Sequence, residues 1–174
     1  MKQFILSLLT ASVLMAGDFT LQSTDIAVKL TKAQEFNGSG CTGQNISPQL
    51  SWSHAPKGTK SFVITVKDTD SIIGIIWWHW LVINIPANVT EIAAGASGKA
   101  MPKGSIELKN NYGTIGFGGA CPPKGDKAHR YVFTVLALDI DTLPVTERRN
   151  DAFLGNLIKM HTIGQASITS YYQR

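Results

Sequence analysis

Three short stretches of this chain hold the side chains best suited to chemistry. The first is Asp68-Thr69-Asp70, followed closely by Trp77-Trp78-His79-Trp80. Two acids at i and i+2 on an extended segment face the same way, so Asp68 and Asp70 are expected to share a face. Beside a histidine they make either a hydrogen-bonded acid–imidazole site or a set of metal ligands. The same Asp-Thr-Asp-Ser run is also a good turn former, because short polar side chains bond their own backbone. His79 is more telling. Among three tryptophans it is expected in a poorly solvated place, and a buried imidazole needs a partner.

The second stretch is Gly116-Phe117-Gly118-Gly119-Ala120-Cys121-Pro122-Pro123. Successive bare N–H groups in such a loop can form a concave nest for an anion. The alternative is a tight surface turn. No Gly-Lys-Ser/Thr opens a helix here, so the P-loop pattern is absent. The third stretch is His129-Arg130-Tyr131. His129 and Tyr131 project to one face, and imidazole and phenol both donate to phosphate or carboxylate oxygens. Arg130 points the other way, to solvent or a salt bridge. His161 reads as a satisfied core histidine, and His54 as an exposed loop residue.

These side chains must be held by elements, and most periodic segments read as strands. Residues 62–66, 80–85 and 131–138 are β-branched or aromatic runs bounded by turn residues. Residues 19–21, 26–30, 50–52 and 166–171 are shorter candidates. Many short strands between Gly, Pro, Asn and Asp clusters suggest an all-β dominated sandwich of antiparallel sheets. From 148 to 161 the spacing changes. Phe153, Leu154, Leu157, Ile158 and His161 form one helical stripe, with Thr146 or Asn150 as N-cap and Gly164 just past the end. One or two short helices near the C-terminus are therefore expected.

Bulk properties narrow the class. With 174 residues, 44% hydrophobic and 16% charged, the chain suits one folded domain. A net charge of +4 without any basic block gives nucleic-acid binding little support. Residues 1–16 have the layout of a secretory signal peptide: Lys2, an uncharged apolar run, then Ala16-Gly17. Cleavage after Ala16 leaves residues 17–174 as a single domain. A buried N-terminal strand or helix is the alternative reading. No second apolar run reaches membrane length, so a periplasmic or secreted product without membrane insertion is expected. In an oxidising compartment Cys41 and Cys121 are natural disulfide partners. Two buried free thiols, or a redox pair lacking a Cys-x-x-Cys motif, are the alternatives.

Together these stretches resemble a known family. Asp68-x-Asp70, Trp78-His79-Trp80-x-Val82-x-Asn84-Ile85-Pro86, Gly118-Gly119-x-Cys121-Pro122-Pro123 and His129-Arg130-Tyr131-x-Phe133 look like the phosphatidylethanolamine-binding proteins. Asn45-Ile46-Ser47-Pro48-Gln49-Leu50-Ser51-Trp52 fits the bacterial, Raf-kinase-inhibitor-like branch. The resemblance implies a β-sandwich with an anion pocket lined by Asp68, Asp70, His79, Gly118, Gly119, Pro122, His129 and Tyr131. It implies no cofactor and no metal. Thr69 and Ile72 stand where the family commonly has prolines, which should loosen the pocket rim.

The leading expectation is an exported binding protein, not an enzyme, for phosphate, a phospholipid head-group or a carboxylated ligand. A phosphate would sit against the Gly118-Gly119 amides, with His129 and Tyr131 donating. One of the two acids would orient a histidine, and the other would accept an amine or carry a proton. Binding would weaken above the histidine titration near ~6.5. The alternatives are a regulator with a protein partner, such as a protease or kinase inhibitor, and a weak hydrolase using Asp70 and His129.

Overall fold

The long apolar runs Ser61–Asp68 and Trp77–Pro86 lie inside one large sheet and are buried on both faces, while His129–Leu138 beside them buries alternate residues. A computed structural model describes residues 17–71, 76–144 and 151–174. Segment 1–16, Ile72 and the two N-cap candidates Thr146 and Asn150 lie outside those residues. The elements in order are β1 (Thr20–Gln22), β2 (Asn37–Gly38), β3 (Cys41–Thr42), β4 (Leu50–Ser53), β5 (Ser61–Asp68) and β6 (Trp77–Pro86). Then come β7 (Glu91–Ile92), β8 (Ile106–Glu107), β9 (His129–Leu138), α1 (Asp151–His161) and β10 (Thr162–Tyr172). A five-stranded antiparallel sheet runs β10-β9-β5-β6-β8, and a three-stranded one runs β1-β4-β7. A short β2-β3 pair stands beside them.

The large sheet carries a core on each side. Phe62, Ile64, Val66, Trp80, Val82, Phe133 and Val135 pack with Leu21, Leu50, Trp52 and Ile92 of the small sheet. On the opposite face, Val63, Leu81, Ile83 and Leu138 pack with Leu143 and with Leu154 and Ile158 of α1. Burial on both sides explains why β5 reads as an unbroken apolar run rather than an alternating one. Each such large side chain contributes on the order of 1.5–3 kcal/mol by leaving water.

Two irregularities shape β6. Val66 pairs with Trp80 but Lys67 pairs with Trp78, so His79 is the extra residue of a bulge. Nearer the other end, Asn84 takes a left-handed φ of 58°. Its carboxamide clamps Leu143, accepting from the N–H (2.7 Å) and donating to the carbonyl (3.3 Å).

Some expectations change here. Residues 26–30 form no strand; Lys29 makes a single parallel bridge to Tyr171. Of the helical stripe, Leu154 and Ile158 are buried, but Phe153 is 55% exposed. Gly164 does not stop the helix, which runs directly into β10, with the Thr162 hydroxyl donating to the Ile158 carbonyl (2.6 Å). His161 is paired with Asp139 (2.8 Å) at the partly exposed edge rather than in the core. Cys41 and Cys121 are joined in a disulfide, their Cα atoms 6.0 Å apart.

Candidate functional site

A cavity of about 860 Å³ opens where β5 ends and β6 and β9 begin. The sheet supplies Asp68, Trp77, His79, His129 and Tyr131, while loops supply Tyr112, Cys121, Pro122 and Pro123. Arg174, beyond β10, completes one side. Strand parity delivers most of these groups. His129 and Tyr131 lie on the same face of β9 as Phe133 and Val135, and so continue the main core toward the cavity. Tyr131 pairs with Asp68 across the ladder, and Asp68 pairs with Trp77 on the other side. The bulge adds His79, which regular pleating would have turned to the face opposite Trp80.

The interior is buried and mostly committed. Asp68, only 4% exposed, accepts from His129 Nδ1 at 2.7 Å through Oδ2 and from the Asp70 N–H at 2.8 Å through Oδ1. The other nitrogen of His129 lies 3.5 Å from Asp126 Oδ2. His79 donates from Nδ1 to the Gly118 carbonyl at 2.7 Å. Burial opposes its imidazolium and outweighs that bond and the charge of Asp68, bringing its pKa down to about 4. Its ring meets Tyr131 and Tyr112 edge to face, with centroids 5.1 and 5.6 Å apart. Burial and the nearby Asp68 carboxylate push both phenols well above the usual tyrosine range. On the cavity-lining residues, His79 Nε2 and Trp77 Nε1 are buried without a hydrogen-bond partner, and the buried Tyr131 hydroxyl has the Asp68 carboxylate beside it.

Asp68, His79, Pro122, His129 and Tyr131 therefore come together as the sequence suggests; Asp70, Gly118 and Gly119 do not line the cavity. The chain bends after Asp68, so the i, i+2 rule of an extended strand lapses. Asp70 turns outward and binds Arg130 through Nε (2.8 Å), Nη2 (3.3 Å) and the backbone N–H (3.0 Å), with Lys127 at 3.8 Å. The Arg130 bonds hold its carboxyl below the usual range, so Asp70 is neither protonated nor free for an amine. The glycine amides are spent internally. Gly118 N–H donates to the His79 carbonyl (2.8 Å) and Gly119 N–H to Asn45 Oδ1 (2.7 Å). These glycines serve close approach instead. A Cβ at Gly119 would lie 2.2 Å from the Gln34 carbonyl, and one at Gly118 2.5 Å from the Tyr112 ring. At Thr69 the rim is tied rather than loosened, because its N–H donates to the Arg130 carbonyl (3.0 Å), a bond proline cannot make.

Sequence reasoning missed Tyr112, Asp126, Asn45 and Arg174 as parts of this site. Tyr112 stacks on Phe36 (3.8 Å) and donates to the Gly119 carbonyl (3.0 Å). Arg174 donates to the Pro122 carbonyl from Nε and to the Gly40 carbonyl from Nη1, both at 2.6 Å. Nothing local to Arg174 signals this. Asn45 had a signal in the Asn45-to-Trp52 motif, but its partner, Gly119, is far away in sequence.

A sandwich whose large sheet ends in a cavity holding an Asp–His pair and unpartnered rings defines a β-sandwich protein with a built, ligand-sized cleft. The family model described as phosphatidylethanolamine-binding protein matches residues 25–173. The chain belongs to that family. The UPF0098 protein YbcL of Escherichia coli K12 is 42% identical over 181 residues, covering 99% of each chain. The UPF0098 protein YbhB of the same organism is 45% identical over 146 residues, covering 83% of this chain and 92% of its own. The crystal structure of E. coli YbcL superposes with a TM-score of 0.86 at 44% identity, covering 91% of this chain and 99% of that one.

Proposed function

We propose that this protein is an exported binding protein that takes a small oxyanion, such as a phosphorylated head-group, in the cavity between β5, β6 and β9. The observation that carries the reading is the set of buried polar groups on cavity-lining residues, His79 Nε2 and Trp77 Nε1 without a partner and Tyr131 OH with only Asp68 beside it. Leaving a buried polar group unpaired costs roughly 1–3 kcal/mol, so a wall that holds such groups suits a polar ligand. Arg174 adds a cation at the edge. Asp68 is taken up in orienting His129 and so repels an anion less than a free carboxylate would.

A binding role fits better than a hydrolytic one. The hydrolase reading needed Asp70 beside His129, and Asp70 is turned away to Arg130. Cys121 is no nucleophile while it is bridged to Cys41. Export is supported by the layout of residues 1–16 and by that disulfide. Phosphorus NMR titration of the mature chain with phosphorylethanolamine tests the reading. Saturable binding is expected, weakened at least about tenfold in His129→Ala, which would leave the Asp68 carboxylate on the cavity wall without the imidazole it holds. Equal binding by the variant overturns the assignment.

A further inference from the structure

We infer that the cavity accepts its oxyanion in a protonated form, because His79 offers the ligand a hydrogen-bond acceptor and not a donor. This rests on the binding reading above and specifies its ligand. A carbonyl oxygen only accepts, so the 2.7 Å contact to Gly118 fixes the proton of His79 on Nδ1. The neutral ring then has a bare lone pair on Nε2, and that atom is buried without a partner.

The surroundings decide whether the ring stays neutral. Asp68 on β5 faces it, with His129 and Tyr131 on β9, Tyr112 from the 108–120 loop and Arg174 from beyond β10. Asp68 favours a second proton on His79, but its two oxygens are already held by the His129 ring and the Asp70 amide. His129 and Arg174 offer no acceptor charge, and the two phenols stay neutral. Burial prevails, and the ring is uncharged at neutral pH. Trp77 N–H remains as a donor, and Tyr131 OH donates either to Asp68 or to the ligand.

The complementary ligand has one oxygen that bears a hydrogen and others that accept. A phosphomonoester monoanion is such a ligand, and its second ionisation lies near ~6. Sulfate is fully ionised over the same range and has no hydrogen to give. The cavity therefore sorts oxyanions by their proton, and phosphomonoester and phosphate monoanions are its ligand class.

Calorimetry on the mature chain tests this with inorganic phosphate, methyl phosphate and sulfate from pH 5.5 to 8.5, in two buffers of different ionisation enthalpy. Affinity for both phosphates should fall by nearly tenfold per pH unit above pH ~7.5, with close to one proton taken up per ligand, and sulfate should bind at least about tenfold more weakly at pH 6. In His79→Gln an amide N–H replaces the lone pair, and the preference should collapse. Sulfate matching phosphate with a flat pH profile, or an undiminished preference in His79→Gln, overturns the inference while leaving oxyanion binding in place. Absence of binding by all three anions overturns the reading beneath it as well.

Discussion

At the scale of the residue, the two aspartates that look alike in sequence have opposite environments. Asp68 is buried and holds the His129 ring, whereas Asp70 sits in an outer ion pair with the exposed Arg130. Asp68→Asn keeps one acceptor and loses the other, so it should cost about 1–3 kcal/mol of stability and weaken phosphorylethanolamine binding. Asp70→Ala should cost less than about 1 kcal/mol, as exposed pairs do, and leave affinity within about twofold. Urea unfolding and the titration on both variants check this contrast. His79 adds a pH dependence of known sign. Its folded pKa, about 4, lies below the usual 6.5 of an imidazole. The unfolded chain is thus the better base between those values. Stability from this residue is complete above 6.5 and falls by about 3 kcal/mol as pH drops to 4. Unfolding midpoints of the wild type should fall relative to those of His79→Gln across that window. The pairing of His129 with Tyr131 was legible, because β9 is a regular strand. That of Asp68 with Asp70 was not, because the strand ends between them.

At the scale of the element, β6 makes the same point. Strict alternation puts Trp78 and Trp80 on one face and His79 on the other. The bulge instead sends Trp80 to the main core, Trp78 to the second core beneath Lys67, and His79 to the cavity. Trp78→Ala should therefore lower stability while leaving ligand affinity unchanged, and Trp77→Ala should weaken affinity. Trp80→Ala, fully buried, should cost about 3–5 kcal/mol. The long strands were legible from β-branched runs, whereas the two-residue strands β2, β3, β7 and β8 were not, and residues 26–30 read as a strand without forming one. A one-residue register shift was not, since it depends on how β6 meets β5 and not on either strand alone. The helix was legible from Leu154 and Ile158, but its direct passage into β10 was not. Gly164 reads as a stop signal, yet it lies within that strand, close against Pro56.

At the scale of the whole molecule, the cavity depends on segments far apart in sequence. The disulfide joins residues 80 positions apart and places Cys121 and Pro122 on the cavity wall. Chain-entropy estimates value a loop of that length at roughly 4 kcal/mol, so Cys41→Ser with Cys121→Ser should lower the melting temperature and weaken binding together. The presence of just two cysteines, together with the signal-like layout of residues 1–16, made that pairing legible. The reach of Arg174 across to Gly40 and Pro122 is a purely tertiary fact. The central claim is that the buried polar groups on this wall exist for a ligand. It is tested most directly by thermal unfolding of wild type and Tyr131→Phe, each with and without saturating phosphorylethanolamine. The account predicts that Tyr131→Phe, which keeps the ring and removes only the hydroxyl, loses most of the ligand-induced shift. A variant that gains the full shift from ligand would contradict it.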